Sequence, residues 1–348
     1  MDEIRIYCLH PAINCLTDMV KYLHIHNLKI INNMVWDEKN PNYLIVSEHI
    51  YFNPKYKKKF CKYLKKDNII FIFMAGECIS PDLNIFDYAI VFDRKLIDLD
   101  RISRIPPNIF FQESMLNMAN NFSDKIASEE VRKRKFCNFI YSNSKADSMR
   151  DFLFYEISKY KKVDSLGKHL NNTDIKPTRG NKNWREISIE QKSKYKFTIA
   201  CENASYEGYT SEKLLTSFQA HSIPIYWGNP YVEEEYNEKA FINCNKYRNI
   251  NDVMEIIKKI DDDDLLWKRM VCEPWQTKEQ VLQMEQEMKN YQEFIINIFS
   301  QPINIARRRP RGTAPNIYLR TFSYKYSVFD IYKEKVFRKF SRRIRKKG

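Results

Sequence analysis

The chain has 348 residues, 43% of them hydrophobic and 14% aromatic, which excludes a disordered or small disulfide-stapled protein. With 7 Gly and 13 Pro it is neither collagen-like nor low-complexity. Of 58 Lys/Arg and 44 acidic residues, 15 and 2 follow residue 300, so the net +14 divides into +13 there and +1 before it; the charge belongs to an appendage and is silent on what the body binds.

Ile4-Arg5-Ile6-Tyr7-Cys8-Leu9 reads as a strand, Tyr43 to Val46 as a second, Ile69 to Met74 as a third and Tyr88 to Phe92 as a fourth. Lys55 to Lys65 is a helix, with Tyr56, Phe60, Tyr63 and Leu64 at helical spacing. Short apolar strands alternating with helices predict a parallel sheet buried on both faces. Pro106-Pro107 breaks regular structure, and Phe110 to Ala127 bridges to a second unit.

That unit opens with the strand Phe136 to Tyr141, a helix over Asp147 to Tyr160 and a loop from Asn171 to Asn183. The strand Phe197 to Cys201, a helix from Ser211 to Ala220 and the strand Ile223 to Trp227 follow, ending at Gly228. Asn251 to Ile260 and Leu265 to Tyr291 read as closing helices. Two successive α/β units point to two facing Rossmann-like domains, 1–128 and 129–300, although periodicity alone is also compatible with one large sheet.

Residues 301–348 differ in kind. Arg307-Arg308-Arg309-Pro310-Arg311 reads as an exposed basic linker. Val328, Tyr332, Val336, Phe340 and Ile344 then recur every four residues, with Lys335, Arg338, Arg342 and Arg345 on the other side. A basic amphipathic helix of this kind suits an anionic membrane interface. Docking on the body is the plainer alternative, and no stacking platform or known module accompanies the charge to favour nucleic acid.

The eight cysteines form no CxxC pair and sit mostly among apolar residues, as buried thiols do. The N-terminus, MDEIRIYCL, has neither the basic start nor the apolar run of a signal peptide, and the longest purely apolar run, Ile69 to Ala75, is far short of the ~20 residues a span needs. The expectation is a cytoplasmic protein, attached peripherally to the inner face of the membrane by its tail.

The stretch Lys194 to Pro230, KYKFTIACENASYEGYTSEKLLTSFQAHSIPIYWGNP, carries the chemistry. It reads as strand, polar loop, helix start and strand, with the loop at the carboxyl end of a buried strand, where open α/β sheets bind ligands. Thr210 or Ser211 can cap the helix, and the helix N-terminus together with Lys213 makes an anion site suited to a diphosphate. Neither GxxxxGKS nor GxGxxG occurs.

ENASYEGYTSEK followed by HSIPIYWGNP closely resembles the signature of the α-1,3/4-fucosyltransferases, glycosyltransferase family ten, particularly bacterial enzymes making Lewis-type antigens of the lipopolysaccharide O-chain. Two further blocks match in order: Ala75-Gly76-Glu77 with SPDLNIFDYAIVFD, and Phe136 to Phe139 with Arg150 and Lys161 to Asp164. The likeness covers about residues 1 to 300. Ala204 stands where Ser or Thr is usual, and Thr210-Ser211 replaces a Val/Ile-Thr pair.

The resemblance implies a GT-B fold with an acceptor-binding first domain and a GDP-fucose-binding second one. It implies transfer of L-fucose from GDP-β-L-fucose, with inversion and no catalytic metal, to an N-acetylglucosamine hydroxyl of an oligosaccharide acceptor, α-1,3 before α-1,4. Another GDP-deoxyhexose donor, or a tail-driven membrane or nucleic-acid-binding module, is the alternative.

By the same resemblance Glu77 is the general base, and partial burial at its strand end would raise its pKa. Arg150, Asn203, Tyr209, Glu212 and Lys213 match donor-site residues. Arg150 and Lys213 then clamp the diphosphate, Glu212 accepts from ribose hydroxyls, and Asn203 and Tyr209 line the pocket. The plain alternatives are a surface position for Arg150 and core packing for Tyr209.

Asp261 to Asp264 reads as a solvated turn whose last residue caps the next helix, not as a metal site. His24 and His26, two apart on one helix, do not face each other. His169 and His221 are possible pocket residues without independent support.

Overall fold

A computed structural model describes residues 3–11, 13–64, 66–96, 100–105, 133–175 and 183–312, with 315, 318, 319 and 322 beyond. The expected bridge over Phe110 to Ala127 and the amphipathic repeat from Val328 to Ile344 lie outside the described residues. The chain divides into two compact units, one of Met1–Val91, Leu96–Ser103 and Asn290 onward, the other of Phe92–Lys95 and Arg104–Lys289. The chain thus returns to the first unit at residue 290, where the sequence reading drew one boundary at 128 and began a separate tail at 301.

The first unit holds β1 (Ile4–Leu9), α1 (Leu16–Tyr22), α2 (Leu28–Asn32), β2 (Met34–Trp36), β3 (Tyr43–Ser47), α3 (His49–Phe52), α4 (Pro54–Cys61), β4 (Ile70–Met74), β5 (Tyr88–Val91) and β6 (Ile102–Arg104). The strand order is β2-β1-β3-β4-β5-β6, and the pairs from β2 through β5 are parallel. Every residue of β3, β4 and β5 is buried, as continuous apolar runs in a two-faced parallel sheet require. Leu44, Val46, Phe60, Phe71, Phe73 and Phe86 form the core.

The second unit holds β7 (Lys135–Phe139), α5 (Met149–Ser158), β8 (Val163–Ser165), α6 (Trp184–Lys192), β9 (Tyr195–Cys201), α7 (Glu212–Gln219), β10 (Ile223–Trp227), β11 (Ile242–Asn243), α8 (Ile250–Asp262) and α9 (Asp264–Val271). Its strand order is β11-β10-β9-β7-β8, all parallel. In chain order this is the same doubly wound plan as the first sheet, with the order reversing beside β7 here and beside β1 there. The two Rossmann-like sheets of a GT-B fold are both present. Helix α10 (Lys278–Ser300) leads out of the second unit and ends in the first.

Beyond it the basic run is not an exposed linker. Arg309 is 4% exposed and pairs with Asp87, which is fully buried. Asp87 also accepts from the backbone N–H groups of Phe71, Arg308 and Arg309 at 2.8–2.9 Å, and the Arg309 guanidinium lies 4.0 Å from the Phe71 ring. A buried carboxylate drew in a cation that composition assigned to solvent.

Other local differences have simple causes. Asp263, not Asp264, caps α9, accepting from Leu265 and Leu266 N–H at 2.9 Å. Asp261 is buried and paired with Lys161 and Lys196, not a solvated turn residue. His24 and His26 lie between α1 and α2 rather than on a helix, His24 with φ +49°. All eight cysteines are free; Cys8, Cys137, Cys201 and Cys244 are buried, and Cys15 is exposed.

Candidate active site

In the second unit the expected residues gather at the carboxyl edge of the sheet, around β7 and β9. Ser211 is the N-cap of α7; its backbone is extended and its Oγ accepts from Lys213 N–H at 3.5 Å. Lys213 Nζ lies 2.8 Å from Ser211 Oγ, 3.3 Å from Glu202 Oε2 and 3.6 Å from Glu212 Oε1. An ammonium and the open end of an eight-residue helix converge there, an electropositive corner on the scale of a phosphate.

Glu202, the residue after β9, anchors this corner; it opens the ENASYEGYTSEK block, and the sequence reading assigned it no role. It is fully buried and accepts from Ser211 N at 2.8 Å and Ser211 Oγ at 2.6 Å. Burial pushes its carboxyl up, while Lys213 pulls it down. For Glu212 burial also pushes up, but Lys213, the helix start and Lys192 outweigh it and hold that carboxyl below its ordinary value. Gly228 backs the pair: a Cβ there would lie 2.3 Å from Glu202 Cγ.

Arg150, on α5, is 1% exposed, so it occupies neither a surface position nor an open clamp. Its Nη2 donates to Asn203 Oδ1 at 2.7 Å, Glu202 O at 3.0 Å and Cys201 O at 3.4 Å, its Nη1 donates to Asn143 O at 3.4 Å, and its guanidinium lies 4.0 Å from the Tyr141 ring. All four partners are neutral oxygens, so a buried positive charge holds Asn203 in place and, among the described residues, contacts no carboxylate. Tyr209 is buried edge-on to Phe92 at 5.1 Å, which is core packing. His169 is bound to Asp151, Nε2 to Oδ1 2.8 Å.

In the first unit Glu77 follows β4 at the carboxyl edge of its sheet, but it is exposed, not partly buried. The buried carboxylate there is Glu48, one residue after β3 and 5% exposed. Its Oε2 accepts from Gly76 N–H at 3.4 Å and its Oε1 lies 3.6 Å from His49 Nδ1. Burial pushes the Glu48 carboxyl up; His49 and the Gly76 N–H oppose this, and Glu77 adds to it. His10, after β1, stands edge-on to His49 at 5.7 Å, and burial with His49 pushes its imidazole down to about 4. The ends of β1, β3 and β4 thus carry a titratable cluster where the strand order reverses, and nothing in the local sequence of Glu48 marked it.

The family model described as Glycosyltransferase family 10 (fucosyltransferase) C-term matches residues 130–306, half of the chain. The chain is 33% identical over 238 residues to a protein named fucosyltransferase R654 of Acanthamoeba polyphaga mimivirus, covering 67% of this chain and 38% of that one. It is 29% identical over 256 residues to the alpha-(1,3)-fucosyltransferase FucT of Helicobacter pylori, covering 63% and 49%, and 27% identical over 198 residues to GDP-fucose protein O-fucosyltransferase 3 of Xenopus laevis, covering 55% and 41%. It therefore spans about half or less of the length of these curated relatives. A crystal structure of an alpha1,3-fucosyltransferase is similar in fold, with TM-score 0.62, 20% identity and coverage of 89% of this chain and 93% of that one. The same fold occurs in a structure of an alpha1,3-fucosyltransferase with GDP-fucose, TM-score 0.59. With its two doubly wound sheets and the Glu202–Lys213 block inside the matched region, the chain belongs to glycosyltransferase family 10.

Proposed function

We propose that the protein is an inverting fucosyltransferase that moves L-fucose from GDP-β-L-fucose to an N-acetylglucosamine hydroxyl of an N-acetyllactosamine or Lewis-type glycan, α-1,3 before α-1,4. The observation that carries this reading is the capped start of α7, where Ser211, Lys213 and the helix N–H groups converge beside a buried Arg150 that contacts no carboxylate among the described residues. That corner suits a diphosphate. As the C1–O bond breaks, its electron pair goes to the leaving GDP, and Lys213 and the helix dipole stabilise the growing negative charge. Arg150 keeps Asn203 in register, and Glu212 accepts from the ribose hydroxyls.

Glu77 is the proposed base. Its exposed carboxylate takes the proton of the acceptor hydroxyl as that oxygen attacks C1 from the face opposite GDP, so a β-linked donor yields an α-linked product. Turnover is proposed to need no metal ion and to survive a chelator. The basic repeat from Val328 to Ile344 is proposed to rest on an anionic membrane, at the cytoplasmic face.

One assay tests the reading: GDP release from GDP-fucose in the presence of lactose, N-acetyllactosamine or its β-1,3-linked isomer, followed by linkage analysis of the product. The likeness to a relative named as a protein O-fucosyltransferase favours one further arm, a folded Ser/Thr-bearing polypeptide. Transfer only to that arm would replace the glycan acceptor. No GDP release with any of them would remove the reaction.

A further inference from the structure

Lys192, the last residue of α6, is buried beneath the first turns of α7. Its Nζ donates to Thr216 Oγ1 at 2.6 Å, Ser217 Oγ at 3.3 Å and the Lys213 carbonyl at 3.4 Å. The two hydroxyls spend their own hydrogens on the carbonyls of Glu212 and Lys213, each at 2.8 Å, so both present lone pairs to Lys192. Three acceptors for three N–H bonds make a seat for an ammonium.

None of these contacts is a carboxylate. The charged groups that face Lys192 are Glu212 and Lys213 on α7 and Glu202 at the end of β9, and these three are already engaged with one another. A buried cation held by neutral oxygens alone is costly, and burial, with Lys213 adding to it, pushes this amine down to about 7 although Glu212 and Glu202 oppose the shift.

We infer that Lys192 is a hidden second cation of the donor site, and that the diphosphate of GDP-fucose charges it on binding, so that donor and proton bind together above neutral pH. This rests on the proposed placement of the diphosphate at the start of α7. Two negative charges there add to the pull of Glu212 and Glu202, none of which touches Lys192, and they favour the ammonium over the amine. Lys192 touches no substrate; it is a positioning residue whose proton is linked to the donor.

The test is calorimetry of GDP-fucose binding to the full chain at pH 8, in MOPS and in Tris, which differ in heat of ionisation. GDP-fucose is chosen over GDP because its diphosphate diester has no group titrating near neutrality. The expected result is a buffer-dependent heat equivalent to uptake of a fraction of one proton, with affinity falling by up to about tenfold per pH unit above 7. Lys192→Met should bind more weakly and take up no proton. Lys192→Arg, whose charge is fixed, should bind without uptake.

Binding by the wild type with no buffer dependence overturns the inference and leaves the donor reading standing. Uptake that persists in Lys192→Met overturns it too. Absence of any GDP-fucose binding between pH 6 and 9 removes the donor reading itself. The wild-type measurement decides even if a variant does not fold.

Discussion

Lys213 and Glu202 form an ion pair across the first turn of α7, with Ser211 bonded to both side chains. Glu202 has no exposure, so its charge is tolerable only while Lys213 stands over it. One residue therefore serves both the fold and the proposed diphosphate site, and the two duties can be separated.

Lys213→Ala is expected to abolish GDP-fucose binding by calorimetry and to destabilise the protein by about 3 kcal/mol, at the low end for a broken buried pair because Ser211 still donates twice to Glu202. Adding Glu202→Gln removes the stranded charge. The double variant should recover much of the lost thermal stability without regaining the donor. Recovery of binding in the double variant would show that Lys213 is not the cation the donor meets.

Gly228→Ala addresses the same pair from behind. The new Cβ meets Glu202 Cγ at 2.3 Å and Glu202 Cβ at 2.7 Å, so the glutamate must move. Overpacking of this kind costs about 1–3 kcal/mol. Because Glu202 holds the cap of α7, donor affinity should fall as well. A variant that loses stability but keeps wild-type affinity for GDP-fucose would uncouple Glu202 from the site.

These features differ in how far the sequence announced them. Ile4–Leu9 and Ile223–Trp227 were legible to the residue, because a parallel strand covered on both faces is a short, mostly apolar run, broken here only by the half-buried Arg5. Met34–Trp36, Val163–Ser165 and Ile242–Asn243 were missed; two or three residues carry no periodicity. Helix Trp184–Lys192 was missed because the residues it buries are Ser188, Gln191 and Lys192, which read as surface. Lys213 and Ser211 were found from the cap pattern and the family likeness. Glu202, Lys192 and Glu48 were not, since a buried charge is recognised only by partners distant in sequence.

Glu48 gives a pH signature. Burial raises its carboxyl above the ordinary value, so the folded state binds the proton more tightly than the unfolded chain. Its contribution to stability is therefore full below the unfolded pKa and declines as pH rises through the folded one. Glu48→Gln keeps the shape without the charge. The melting temperature of this variant relative to wild type should rise between pH 4 and pH 8, by a few degrees at about 2–4 °C per kcal/mol. A difference that stays constant over this range would mean that Glu48 does not titrate differently on folding.

The last prediction concerns where the tail can be cut. Because Arg309 fills a buried site on Asp87, with Arg308 and Arg309 N–H groups bonded to the same carboxylate, truncation before residue 307 removes part of the first unit's core along with the basic repeat. A chain ending at Gly312 gives up Leu319 and Phe322, which pack against the first unit's core, and should lose about 1–3 kcal/mol, whereas one ending at Ala306 should lose about 3–5 kcal/mol more, the cost of leaving Asp87 buried without its partner. Asp87→Ala in the full chain strands Arg309 in turn and should cost a similar amount. Partitioning onto anionic vesicles should be lost in the chain ending at Gly312 with GDP-fucose turnover retained. If that chain still binds vesicles as the full protein does, the membrane contact belongs to the body and not to the residues beyond 312.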